Sequence, residues 1–299
     1  RWENDFGQRG ELSSRSDQDA EQLVNYGQLD WKLGARTTLI TGLQQFYTKR
    51  DNQARFNDTT GRLDYQQWNP RLGLLYQLDP MSQLYANVNR SAEPPSIADL
   101  TSGGALDFTP LGVQTAWTAE IGSRGESNGI AWDISLYRSW IDGELLKFGA
   151  PGTFGFVSFT ENAGNTIHQG IELGLDVPLL AEHMLAGGHE FILRQVYTLN
   201  DFQFDNDPTF GNNRLAGVPK HLYITELRFD HVKGWYLAAN VRWVPDGPFA
   251  DFANTVQVPG YALFGVNAGL ELSSNVSLYL SVENLFDKRY ISNVTTNAN

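Results

Sequence analysis

His168, Arg194, His221, Arg228 and Arg242 fall at positions that alternate with apolar residues. Guanidinium forks and imidazoles spaced in this way can hold an anion through charged hydrogen bonds, so the set reads as one wall of a site for an anionic metal chelate. Glu120, Glu172, Glu226 and Glu283 are available counter-charges, and paired with them the same residues read as a solvated polar wall. A second set lies in stretches without alternation, with Arg50, Arg55, Arg62, Tyr65 and Trp68 in one and Phe154, Phe156 and Phe159 in another. On long loops such arginines and rings either close over an aromatic ligand or pack the loops against one another. The residues expected to touch a ligand are Arg55, Arg62, Tyr65, Trp68, His168, Arg194, His221 and Arg242.

Other chemistries have little to stand on. There is no GxSxG elbow and no glycine-rich phosphate loop, so no catalytic set and no cofactor are expected. His183 and His189 lack HxxH or HExxH spacing, and no protein-held metal is expected. The segment DNDPTFGN, Asp205–Asn212, opens with an alternating Asp-Asn-Asp but lacks the glycine and terminal glutamate of a calcium loop, and reads as a surface turn.

Any such wall needs a scaffold, and composition narrows the choice. The 299 residues are 41% hydrophobic, with a mean hydropathy of -0.35, and no apolar run approaches the roughly 18 residues of a membrane helix. A transmembrane barrel remains compatible, because each strand shows lipid only every second side chain. Aromatic residues at 12%, eight of them tryptophan, suit strands that meet a membrane interface; Trp31, Trp117, Trp132, Trp235 and Trp243 are candidate girdle residues. No cysteine is present, which excludes a disulfide framework. The net charge of -12 argues against nucleic acid as a partner. The chain opens on RWENDFGQRG, with neither initiator Met nor signal segment, and reads as the interior of a longer protein.

Period-two alternation recurs along the chain. Ile171, Leu173, Leu175 and Val177 oppose Gly170, Glu172, Gly174 and Asp176; Leu237, Ala239 and Val241 oppose Asn240 and Arg242. About twelve strands are predicted, near 22–33, 36–48, 68–78, 83–91, 114–124, 130–147, 165–178, 189–204, 220–231, 235–246, 260–272 and 276–291. Short turns, such as Gly34-Ala35 and Lys233-Gly234, alternate with long polar links at 50–67, 92–113, 148–164, 205–219 and 245–259. Turns at one rim and long loops at the other are the arrangement of an outer-membrane barrel.

Six segments, in order, carry a family resemblance: NPRLGLLYQL (69–78), LYANVNRSAEPPS (84–96), EIGSRG (120–125), GIELGL (170–175), NNRLAGVPKH (212–221) and SVENLFDKRY (281–290). Together they resemble the barrel of TonB-dependent outer-membrane receptors of the siderophore type. The resemblance implies an all-β fold, an antiparallel transmembrane β-barrel in which residues 1–299 supply about twelve of 22 strands, the plug domain, TonB box and final strand lying outside this chain. It implies a multi-pass protein of the Gram-negative outer membrane, in contact with lipid, that imports an iron–siderophore or similar chelate with energy from the TonB complex acting through the plug. A quinone cofactor, cobalamin, haem or a copper complex would suit the same barrel; an outer-membrane enzyme and a passive porin are the rival classes. The surroundings of Arg55, Gly104, Phe154 and Asn212 are expected outside the cell, and those of Gly34, Asn128 and Gly234 in the periplasm.

Overall fold

The computed structural model describes residues 2–5, 8–12, 15–55, 60–101, 108–152, 155–180 and 189–294. A short hairpin comes first, β1 (Trp2–Asp5) with β2 (Gln8–Leu12). Then come β3 (Ser16–Lys32), β4 (Thr37–Ala54), β5 (Thr60–Asp79), β6 (Ser82–Glu93), the helix α1 (Ile97–Leu100), β7 (Gln114–Ser127) and β8 (Ile130–Asp142). A second hairpin, β9 (Leu145–Gly152) with β10 (Gly155–Asn162), precedes β11 (Thr166–Leu180), β12 (Glu190–Phe204), β13 (His221–His231), β14 (Trp235–Val244), β15 (Tyr261–Ser273) and β16 (Val276–Val282).

Leaving out the two hairpins, twelve strands form one antiparallel sheet in which neighbours in sequence are neighbours in space, with β3 and β16 at its edges. All twelve predicted strands are present. Several boundaries move, and the first strand begins at Ser16 rather than 22. The 50–67 link is strand, because β4 and β5 stay paired as far as Gln53 and Thr60. The 130–147 strand breaks after Asp142 at Gly143, whose φ of 64° turns the chain into the β9–β10 hairpin. The last strand stops at Val282, and Asn284 then closes a turn, its side chain accepting from the Lys288 amide. Both Asn284 and Asp287 have positive φ, which ends the pleat.

Register carries each face unbroken across the sheet. Leu136 pairs with Ile121 and Ile171, Ile171 with Leu199, and Leu227 with Ala239, so one face carries the aliphatic rows. The same face carries aromatic residues in pairs eight positions apart: Trp68 and Tyr76 on β5, Trp132 and Trp140 on β8, Trp235 and Trp243 on β14. At about 3.3 Å per residue each pair is roughly 26 Å apart along its strand, the scale of an apolar band of about 25 Å flanked by two girdles on tilted strands. All five predicted girdle tryptophans lie on this face. Tyr197, Tyr223 and Trp243 stack from strand to strand at one level, centroids 4.6 and 5.1 Å apart; Phe191, Phe229 and Trp235 meet in tilted contacts at the other, at 4.7 and 5.4 Å. No helix is long and apolar enough to cross a membrane, which leaves strands as the only candidates to do so among the described residues.

The two rims differ as predicted. Asn128-Gly129, with φ of 51° and 79°, makes the tight hairpin turn that left-handed residues permit. At the opposite rim the long connectors fold on one another around Phe148, Phe204, Leu215, Ala216 and Phe252, with Phe159, Phe202 and Phe210 packed against them. A core made of loops is what a sheet with one polar and one apolar face leaves available. Among the predicted rim markers, Gly104 and Phe154 lie outside the described residues.

Candidate functional site

Alternation places Gln44, Asn69, Arg71, Asn87, Asn89, Glu120, Glu172, Arg194, Glu226, Asn240 and Arg242 together on the polar face. Their hydrogen bonds run along and across the strands. Asn89 Nδ2 donates to Asn87 Oδ1 at 3.0 Å, Asn87 Nδ2 to Glu120 at 2.8 Å, and Asn69 Nδ2 to Gln44 at 3.2 Å. Arg90 reaches the Trp68 carbonyl, Asn69 and Gln67. This amide-rich patch borders a cavity of about 480 Å³. The sequence reading passed over it, although the Asn-x-Asn at 87–89 and Asn-x-Arg at 69–71 already place such groups on one strand face.

The predicted ligand residues divide. Tyr65, His168, Arg194 and Arg242 lie on the polar face, each in different surroundings. Tyr65 is buried and donates to the Leu111 carbonyl at 2.8 Å, so it pins a connector. His168 Nε2 lies 3.2 Å from Glu144, which also accepts from the Thr166 hydroxyl, and its ring stacks on Phe202 at 4.1 Å. Arg194 bridges Asp176 at 3.3 Å and Glu226 at 3.5 Å. Arg242 has no ion pair or hydrogen bond among the described residues, and it lines a cavity of about 380 Å³ with Glu226, Asn240, Asn267 and Glu283. Arg228, on the same face, is taken by Asp230 at 2.7 Å and by the Tyr236 ring at 3.8 Å.

Arg55, Arg62, Trp68 and His221 lie on the other face. The loop expected around the first three is the β4–β5 hairpin, and pleating turns Arg62 and Trp68 away from Tyr65. Arg62 lies 3.9 Å from Asp64, and Arg55 is held by Asp17 at 2.6 Å. His221 accepts from, or donates to, the Tyr197 hydroxyl at 3.0 Å within the upper aromatic level. Of the expected loop aromatics, Phe159 packs in the loop core; Phe154 lies outside the described residues.

The connectors roof the polar face at this rim. Arg50 Nε donates to the Pro95 carbonyl at 3.2 Å, and Asn162 both accepts from the Gly112 amide at 2.7 Å and donates to the Gly143 carbonyl at 2.8 Å. Ser96 caps α1 in a reciprocal box with Asp99, whose other oxygen accepts from Thr160 at 3.1 Å. Burial pushes the Asp99 carboxyl up, but the Ser96 and Thr160 hydrogen bonds outweigh it and hold it below its usual range. DNDPTFGN is a closed turn, Asp207 accepting from the Thr209 and Phe210 amides at 2.8 and 2.9 Å. No group of acids and histidines that could hold a metal ion occurs among the described residues.

Residues 2–285 match the family model described as TonB dependent receptor-like, beta-barrel. The metal-pseudopaline receptor CntO of Pseudomonas aeruginosa strain UCBPP-PA14 is 27% identical over 259 residues, which is 83% of this chain and 33% of that receptor. The chain therefore spans about a third of the length of such curated relatives. The ferric yersiniabactin uptake receptor FyuA of Yersinia pestis superposes with a TM-score of 0.73 at 20% identity, over 93% of this chain and 42% of that one. The siderophore receptor PiuA of Acinetobacter baumannii does so with 0.73 at 18% identity, over 95% and 42%. At these identities the likeness is one of fold.

Proposed function

Since this chain belongs to the TonB-dependent receptor β-barrel family, we propose that the protein it forms part of is an outer-membrane receptor importing a metal chelate of the iron–siderophore kind. The chain supplies barrel wall; a plug encoded elsewhere in the longer protein contacts the TonB complex and delivers its energy. The protein is a transporter of the Gram-negative outer membrane rather than an enzyme.

One observation carries the reading: a single sheet holds an aliphatic face banded by aromatic pairs eight residues apart, while its other face is wall to a set of amides and guanidinium groups. Hydrocarbon against one side and aqueous passage on the other is the division a transport barrel needs. Arg242 is the first candidate to meet an anionic ligand, because its charge is not already paired; Arg194 and His168 come after it, and Tyr65 frames the mouth. The relatives' names, metal–pseudopaline and ferric yersiniabactin, support chelated metal as the ligand class.

The test is uptake of radiolabelled iron chelates by Gram-negative cells stripped of their own receptors and expressing the full-length protein, with and without TonB. Uptake that needs both protein and TonB is expected. Equal uptake without TonB would overturn active transport, and a correctly inserted protein that takes up no metal chelate would overturn the ligand class.

A further inference from the structure

Arg138 is out of place. It stands on the aliphatic face, exposed, between Leu136 and Trp140, and forms no ion pair or hydrogen bond among the described residues. Its register partners are Ala119 and Gln169, neither of them acidic. Gln169 donates to Asp201 at 2.8 Å, but Lys220 already lies 3.5 Å from that carboxylate. What Arg138 has is the indole of Trp140, 5.3 Å from its guanidinium carbon.

The residue also closes one end of a groove. Leu74, Ala86, Ile121 and Leu136 form one row across β5 to β8; Leu72, Val88, Ala119 and Arg138 form the next, nearer the long connectors. Ala86 and Ala119 are the short side chains of these rows, and over them the surface sinks into a trough of about 570 Å³. Crossing four strands at about 4.8 Å each gives it a length of roughly 14 Å between outer strands, the scale of a fatty acyl chain. Every other outward-facing side chain that lines it is aliphatic, and Arg138 is its one charged outward group.

We infer that this trough is a lipid-binding site, taking an acyl chain over Ala86 and Ala119 and a phosphate headgroup on Arg138. The inference rests on the membrane placement proposed above. A guanidinium fork matches phosphate oxygens, and the cation–π contact with Trp140 orients it at the level where headgroups begin. An anion there supplies the counter-charge that the protein withholds.

The experiment uses the full-length protein in neutral detergent, with retention of phosphatidic acid, of diacylglycerol with the same chains and of inorganic phosphate scored by native mass spectrometry. Wild type is expected to retain phosphatidic acid over both others. Arg138→Gln should weaken it roughly tenfold, as for one charged hydrogen-bond pair. Arg138→Lys should restore part of it, and Ala119→Leu should fill the trough and abolish retention with Arg138 intact. Equal retention of diacylglycerol and phosphatidic acid by wild type overturns the headgroup assignment whatever the variants do. Phosphate competing as well as the lipid overturns the acyl site, and unchanged retention in Ala119→Leu overturns the trough. Chelate uptake by the wild type is scored in parallel: no preference for phosphatidic acid with uptake present refutes this site alone, and no uptake with that preference present refutes the transport reading alone.

Discussion

The ring of Tyr236 occupies the space above Gly269, its register partner on the next strand: a Cβ at Gly269 would meet Tyr236 Cε1 at 2.2 Å. Tyr85 stands in the same relation to Gly122, with 2.3 Å to Cζ. Each ring needs a neighbour without a side chain, so Gly122 and Gly269 hold places for tyrosines on the polar face.

Gly269→Ala is therefore expected to cost about 1–3 kcal/mol, the usual penalty of overpacking. Thermal unfolding in detergent measures it, and Tyr236→Ala in the same chain should remove most of the extra loss. A penalty that is the same with and without the ring would show that the glycine serves its backbone alone.

Leu237 is half-exposed on the aliphatic face, and Asn240 lies on the polar one. Arginine at Leu237 is expected to cost about 2–4 kcal/mol near the middle of a bilayer, and at Asn240 far less. Leu173→Arg against Glu172→Arg makes the same comparison on β11, and Val266→Arg and Leu280→Arg should behave like Leu237→Arg. Denaturant unfolding of the full-length protein in vesicles reads the difference; equal tolerance within each pair would reverse the face assignment.

Arg242 and Arg194 should separate by their partners. Arg242→Gln, with no ion pair to lose, is expected to lower chelate affinity roughly ten- to hundredfold while leaving unfolding unchanged. Arg194→Gln breaks contacts with Asp176 and Glu226 that are half open to solvent, and a small stability change with smaller loss of affinity is expected. Calorimetric titration and thermal melts on the same samples decide it.

Asp251 organises the β14–β15 connector. Burial pushes its carboxyl up, but hydrogen bonds from the Thr255 hydroxyl and the Thr255 and Val256 amides prevail and hold it below its usual value. A depressed carboxyl contributes stability above its unfolded pKa of about 3.8 and loses it as pH falls through the lower folded value. Protection of the Thr255 and Val256 amides against hydrogen exchange, taken relative to the free-peptide rate at each pH, should therefore hold above about pH 4 and fall only below it. Asp251→Asn should lower that protection at every pH.

A tag inserted at Asn212 is expected to be reached by antibody on intact cells, and one at Gly234 only after the outer membrane is opened. Labelling of both on intact cells would contradict the two-rim topology.

Twelve strands, their order and their faces were legible in the sequence, because pleating turns every second side chain the same way and a face with one kind of surroundings writes a period of two. Leu173, Leu237 and the girdle tryptophans needed nothing more. The face taken by each residue expected to touch a ligand was legible only by half. Arg62 and Trp68 sit where polar composition read as loop, but ladder pairing through Gln53 and Thr60 made it strand and set them opposite Tyr65. His221 alternates with apolar neighbours just as His168 does; only the phase of its ladder with β12 puts one beside Tyr197 and the other against Phe202. Ion pairing was beyond the sequence altogether, since Arg194 and Arg242 are alike in pattern and differ in whether a carboxylate on a neighbouring strand comes within reach. Periodicity is local and survives in the chain as written, whereas register and side-chain partners are relations between distant segments that exist only once the sheet has formed.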